Sequence, residues 1–349
     1  MSNIFQKATH YFENELPFVI YCKPNSTEIN GVFQQSTELF LSKDFSENGF
    51  VFVNFQGTQA IVFPQMECQL LSEKNVFANA EEKLPSIETS DNGKDAFQCL
   101  VKNGIQAIES GSFEKVVLSR KETLTINDFS FEKTFEKMLS KYPTAFRYCW
   151  FHPAVGMWMG ATPEQLLKIE NSKFKTVALA GTQKFESDIR TVWEEKEKQE
   201  QQFVTDFITS NLKSEVDSLH QSEAYTFKAG NIVHIKTDID GTFKSDFDLK
   251  KVIDILQPTP AVCGLPKEVS KDFILSEEGY DRKFYAGFLG EINQNQQGDV
   301  DLFVNLRCME IEENKIHLYI GCGITKDSNP EKEYYETANK AMTMKEILK

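Results

Sequence analysis

The sequence has no Cys-x-x-Cys pair, no long apolar run and no excess of positive charge. Each gap closes off a class of protein. Its seven cysteines, at positions 22, 68, 99, 149, 263, 308 and 322, are odd in number and scattered, so neither a zinc site nor a disulfide framework is indicated. No apolar stretch approaches the length of a membrane span. The segment from Met1 to Phe18 lacks a cationic start followed by an apolar core, so no signal peptide is expected, and a cytoplasmic protein is. Lys and Arg number 38 against 52 Asp and Glu, a net charge of −14. That balance argues against a general affinity for nucleic acid or for an anionic membrane. An anionic substrate would need a local positive site made of a few Lys/Arg side chains, backbone N–H groups or a metal.

What is present reads as a globular chain. Of its 349 residues 40% are hydrophobic and 29 are Phe, which fits one large domain or two small ones. Short apolar runs at Phe18–Cys22, Gly49–Phe55 and Ala60–Phe63 read as strands. The polar stretch Leu71–Asn92 reads as a connection. Phe97, Val101, Ile105 and Ile108 then recur at helical spacing until Gly111, and Lys115–Arg120 follows as a strand. Gln165–Ile169 and Phe174–Ala180 flank Asn171-Ser172 as a hairpin. A long helix is expected over Arg190–Lys213, with Phe203, Val204, Phe207, Ile208 and Leu212 on one face. Strands are expected at Gly230–Lys236, Val300–Glu310 and Lys315–Ile320. A last helix opens at Asn329-Pro330, with Asn as N-cap and Pro in the first turn. Strands and helices mix without a regular βαβ alternation, so the expected class is α+β with largely antiparallel sheets.

Several residues have both a plain and a chemical reading. Lys115 heads an apolar strand; it is a solvated edge lysine, or a desolvated amine able to act as a base. Gly160-Ala-Thr-Pro-Glu164 opens a helix, or holds a carboxylic acid near a leaving group. Glu200 lies three and four residues before Phe203 and Val204, on or beside the apolar stripe; it snorkels to solvent, or meets a partner such as a metal ion. Glu333, Glu336 and Lys340 share one helix face. Glu336 and Lys340 are a favourable surface pair, or the carboxylates hold a hard cation while the ammonium meets an anionic substrate. Arg307, in the apolar run Val304-Asn-Leu-Arg-Cys-Met309, suggests a carboxylate partner. Gly321-Cys-Gly323 follows an apolar strand and would let backbone N–H groups approach a ligand.

The order of these segments carries more than any one of them. Lys115-Val-Val-Leu-Ser-Arg120 is followed by Gly160-Ala-Thr-Pro-Glu164, Ala178-Leu-Ala-Gly-Thr182 and the Glu200 helix. Then come Gln257-Pro-Thr-Pro-Ala-Val-Cys-Gly264, Tyr280-Asp-Arg-Lys-Phe-Tyr-Ala-Gly287, Asn305-Leu-Arg-Cys308, Gly321-Cys-Gly-Ile324 and Glu333-Tyr-Tyr-Glu336-Thr. The series resembles the chorismate-utilising enzymes: anthranilate synthase large subunits and aminodeoxychorismate, salicylate and isochorismate synthases. The resemblance covers residues 93–349; residues 1–92 carry little of it. It implies one α+β domain over the whole chain, with two antiparallel sheets flanked by helices and the site in a cleft.

The same resemblance implies roles. Glu200 and Glu336, with Glu333 close by, match the carboxylates that hold Mg²⁺ against the ring carboxylate of chorismate. Arg307 and the backbone at Gly321 match the site of the pyruvyl carboxylate. Lys340, Gly181 and Thr182 fall at substrate positions. Lys115 marks the members that use water as nucleophile, with Glu164 as the acid for the leaving hydroxyl. Ala180 stands where amine-forming relatives carry a covalently acting Lys. Together these imply an isochorismate synthase, with a salicylate synthase as the neighbouring possibility. A non-catalytic chorismate-binding protein fits less well, since every acid, base and metal position holds a competent residue. No glutamine amidotransferase partner is implied, and a monomer is. Most relatives read His-Pro-Thr where this chain has Gln257-Pro-Thr. That Gln resembles some menaquinone-pathway members and leans toward that pathway, with siderophore biosynthesis as the alternative.

Overall fold

In the computed structural model, residues 3–74, 93–185, 191–229, 232–294 and 296–348 are described. They build two antiparallel sheets of nine strands each, with helices packed around them. The first sheet runs Gly264–Leu265, Lys115–Thr125, Lys315–Ile324, Cys308–Glu312, Gly156–Thr162, Phe146–His152, Phe18–Cys22, Glu28–Gln34 and Cys68–Lys74. The second runs Val216–Gln221, Ile232–Phe243, Lys173–Lys184, Gln165–Glu170, Val300–Val304, Phe288–Ile292, Gly49–Val53 and Ala60–Pro64, with Tyr225–Ala229 also paired to Ile232–Phe243. The N-terminal strands thus form one edge of each sheet. The α+β class read from the sequence holds.

Strand Phe18–Cys22 shows why its apolar run does not alternate: it is buried on both faces. Val19 and Tyr21 enter the core between the sheets. Phe18, Ile20 and Cys22 enter a second core under helices Asn3–Glu13, Phe131–Lys141 and Pro330–Leu348. Many of the phenylalanines serve the inter-sheet layer. Phe52 stacks on Phe284 at 4.4 Å between ring centroids and meets Trp150 edge-on at 5.1 Å. Each such pair adds about 0.5–1.5 kcal/mol beyond its buried area.

Local signals set several boundaries. Asn171 and Ser172 both adopt positive φ, 54° and 64°, as a two-residue hairpin turn requires. The Asn329 side chain accepts from the N–H groups of Glu331 and Lys332 at 3.0 and 3.1 Å, which caps the last helix. Four expectations need correction. Leu71–Lys74 belongs to a strand paired with Glu28–Asn30 and Gly31; the rest of the expected connection lies outside the described residues. The expected strand Val300–Glu310 is two strands in different sheets, Val300–Val304 and Cys308–Glu312. Gly321 and Gly323 lie inside strand Lys315–Ile324 rather than at its end. Pro163-Glu164 opens no helix: Gln165–Glu170 is a strand.

Candidate active site

Two of the places where the chain passes from one sheet to the other are neighbours, and a cleft lies there. In one, strand Gly156–Thr162 of the first sheet passes through Pro163-Glu164 into Gln165–Glu170 of the second. In the other, Val300–Val304 passes through Leu306-Arg307 into Cys308–Glu312. The crossovers are bonded to each other: Val304 N–H donates to Glu164 O at 3.0 Å, and Ala161 N–H to Arg307 O at 3.0 Å. Arg307 turns the corner with φ of 48°. The cleft, counted with the solvent-open space at its mouth, holds about 520 Å³, and its walls include Glu164, Ala180, Gly181, Thr182, Glu200, Arg307, Gly321 and Lys340. Seven of the ten expected site residues therefore meet in one place. The other three, Lys115, Glu333 and Glu336, stand behind the wall in ion pairs.

Lys115 is fully buried, and its Nζ lies 3.1 Å from Glu200 Oε1. The solvated-edge reading of this lysine is excluded. The pair exists because residue 323 is glycine: a Cβ there would fall 2.0 Å from Glu200 Oε1 and 3.2 Å from Lys115 Cε. Glu200 heads the buried stripe Glu200, Val204, Ile208, Leu212 of helix Glu195–Leu212, at intervals of four residues. That helix comes close to the sheet at Gly181, whose φ of +70° forms a bulge in strand Lys173–Lys184; a Cβ there would meet Glu197 Cβ at 2.9 Å.

The two carboxylates facing the cleft differ in charge. Burial pushes the Glu164 carboxyl up to about 8, against the pull of Arg307, Lys115 and Lys340. Burial also raises Glu200, but Lys115, Lys196 and Lys340 outweigh it and hold the group below its ordinary value. Glu164 therefore carries a proton at neutral pH while Glu200 is ionised.

Among the described residues Arg307 forms no ion pair with a carboxylate, so the expected carboxylate partner is not found in the protein. Its Nη2 lies 3.3 Å from His234 Nε2, while His234 Nδ1 lies 2.9 Å from Gly181 O. Burial and then the Arg307 and Lys340 charges push His234 down to about 3, so its ring is neutral. Nδ1 must donate to the Gly181 carbonyl, which leaves Nε2 to accept from Arg307. The guanidinium is thus steered without being neutralised. Tyr285 and His234 both line the cleft and were not singled out from sequence. Tyr285 lies within the Tyr280–Gly287 segment. His234 is one of only five histidines, which was the available signal.

Behind the wall the surface-pair reading of Glu336 and Lys340 is realised at 2.7 Å, yet Lys340 also lines the cleft and donates to Gly321 O at 3.0 Å. Buried Glu333 pairs with Lys196. Burial and the nearby Glu336 raise its carboxyl. Glu197, one turn before Glu200, has a buried Oε2 that meets no hydrogen-bond donor. Carboxylate oxygens such as these are the donor type that a hard divalent cation takes. Among the described residues no three acidic, His or Cys side chains form a group that could hold a metal ion.

The site is a mixed-charge cleft at the crossovers of two antiparallel sheets in an α+β protein. Comparison narrows this. Residues 46–349 match the family described as Chorismate binding enzyme, and the chain belongs to that family. The salicylate biosynthesis isochorismate synthase of Pseudomonas aeruginosa is 28% identical over 261 residues, covering 72% of this chain and 54% of that protein. The chain thus spans about half the length of that relative. Isochorismate synthase MenF of Haemophilus influenzae is 26% identical over 355 residues, 89% of this chain and 81% of that one. The structure of MenF, the menaquinone-specific isochorismate synthase from Escherichia coli, matches with a TM-score of 0.79 at 21% identity, over 95% of this chain and 89% of that one. Anthranilate synthase component I from Streptococcus pneumoniae gives 0.71 at 18% identity, so the structural likeness speaks for the fold. No described helix is long and apolar enough to cross a membrane.

Proposed function

We propose that the chain is a magnesium-dependent isochorismate synthase that converts chorismate to isochorismate. The observation that supports this most is the pair of opposite charge states in one cleft: a protonated Glu164 beside Arg307, and an ionised Glu200 against Lys115. An isomerisation that adds water at one carbon and expels hydroxide at another needs one base and one acid. In this reading Lys115 is the base that accepts a proton from water as the oxygen attacks C2. The ring double bonds shift and the C4 hydroxyl departs with the proton of Glu164. One water enters and one leaves, so the step balances as a reversible isomerisation. Arg307, steered by His234, and Lys340 bind the substrate's carboxylates; Gly181 offers backbone at the bulge. Ala180 leaves no side-chain amine to compete with water. Glu200, Glu333 and Glu336 would hold magnesium, which when bound offsets the charge of the ring carboxylate.

We assign the product to menaquinone formation on the strength of Gln257. The enzyme works as a soluble monomer without an amidotransferase subunit. The test is incubation with chorismate, with and without Mg²⁺. Isochorismate alone, formed only with the metal, supports the reading. Salicylate plus pyruvate would make the chain a salicylate synthase instead. Lys115→Ala should abolish turnover in a folded protein; near-normal activity in that variant would remove Lys115 as the base.

A further inference from the structure

Each of the three carboxylates assigned to the metal has its own lysine. Glu200 has Lys115, Glu336 has Lys340, and Glu333 has Lys196. Lys115 and Lys340 have other work in the proposed reaction. Lys196 has none, and among the described residues its one ion pair is to Glu333. Its position is informative. It lies four residues before Glu200, on the same face of helix Glu195–Leu212, and it reaches across to Glu333 on helix Pro330–Leu348. Glu336 is three residues beyond Glu333, on that same face. The Lys196 ammonium therefore spans the gap between the two helices that carry all three acids.

We propose that Lys196 is the resident counter-cation of this acidic cluster, and that a divalent metal binds by displacing its ammonium. On this view Lys196 sets the metal affinity of the free protein. The inference rests on the magnesium reading above. Without a cation, three or four carboxylates in a shielded space would repel one another. A single positive charge on a flexible stem relieves that repulsion and can also leave. The side chain of Lys196 retains 19% exposure, whereas that of Lys115 has 0%. Lys196 thus has a way out to water as the metal arrives, and Lys115 does not. Loading exchanges one ammonium for one divalent ion and leaves the cluster close to neutral in both states.

The test is a calorimetric titration of Mg²⁺ into substrate-free protein, paired with melting temperatures with and without the ion. Three proteins are compared: the unaltered chain, Lys196→Met and Lys196→Arg. Lys196→Met should bind Mg²⁺ several-fold more tightly, melt lower without metal, and recover most of that loss with it. Lys196→Arg keeps the charge and should bind no more tightly than the unaltered chain. If the Met variant folds only with Mg²⁺ present, that metal dependence is the same effect and supports the proposal. Equal or weaker Mg²⁺ binding by Lys196→Met overturns it and leaves the magnesium reading standing. Absence of Mg²⁺ binding by the unaltered chain and Lys196→Met alike overturns the proposal, and turnover of chorismate that does not depend on Mg²⁺ overturns the magnesium reading with it.

Discussion

The two ends of the cleft hold the same side chain in opposite states. At one end Glu200 is buried against Lys115, with Lys196 and Lys340 in reach, and is held ionised. At the other, Glu164 is buried at a crossover where three cations pull on it, yet burial wins and its carboxyl sits at about 8. Two glutamates under one roof thereby become a proton donor and an anion. What separates them is contact. Lys115 lies 3.1 Å from Glu200, while among the described residues no cation forms an ion pair with Glu164. A charge at hydrogen-bond distance overcomes desolvation, and one acting from further away does not.

The largest effect expected is from Gly323→Ala, which breaks the ionised end alone. The new methyl would overlap Glu200 Oε1 at 2.0 Å, and the carboxylate, as the movable tip of its side chain, must swing away. The fold should survive, with a stability loss of about 1–3 kcal/mol, as for other overpacked cores. Activity should fall as far as it does when Lys115 itself is removed, because base and metal carboxylate are displaced together. Turnover in Gly323→Ala near that of the parent would show that the Lys115–Glu200 contact is not needed.

Next comes the protonated end. Glu164→Gln keeps the shape but has no proton to give, and should slow turnover by about 10²–10⁴-fold. In the parent, activity should decline as pH rises through about 8, where Glu164 loses its proton. The Gln variant should lack that decline; an alkaline limb that persists would assign it to another group. Stability carries the same mark. Between the ordinary carboxyl value of 4.5 and about 8 the folded protein keeps a proton that the unfolded chain has released. Stability contributed at this site is therefore full below 4.5 and is lost as pH rises toward 8. Glu200 runs the other way, since its lowered value makes stability fall as pH drops through the ordinary carboxyl range. Melting temperatures of the parent minus Glu164→Gln, followed across pH, should slope downward from acid to neutral. A flat difference would mean that Glu164 is ionised.

The two ends were also unequally legible in the sequence. Glu200 could be placed because a helix has a period: its spacing to Val204 and Ile208 fixes its face whatever lies opposite. The Asn171-Ser172 turn and the Asn329 cap are equally local. Glu164 and Arg307 sit where the chain changes sheets, and no local signal marks that. Val300–Glu310 looks like one apolar run because both of its halves are buried, each in a different sheet. The break depends on strands far away in sequence. The same holds for His234, whose role appears only when Arg307, 73 residues later, arrives beside it. The order of the motifs points to what spacing cannot, an association of Lys115 and Glu164; in the fold Glu164 lines the cleft and Lys115 stands behind it against Glu200.

The smallest effect sharpens the contrast from a distance. Asn329 caps the helix that carries Glu333, Glu336 and Lys340, its side chain accepting from Glu331 and Lys332 N–H. Asn329→Ala should cost about 1 kcal/mol of stability, the usual value of a lost cap. Fraying of the first turn would loosen Glu333, which lies four residues inside the helix and depends on its Lys196 pair to stay put. Mg²⁺ binding should weaken slightly, while the decline of activity above about 8 keeps its position, because burial of Glu164 is unchanged. If the cap variant moves the alkaline limb as well, the two ends are coupled through the C-terminal helix, and Lys340, which faces both glutamates, is the side chain that couples them.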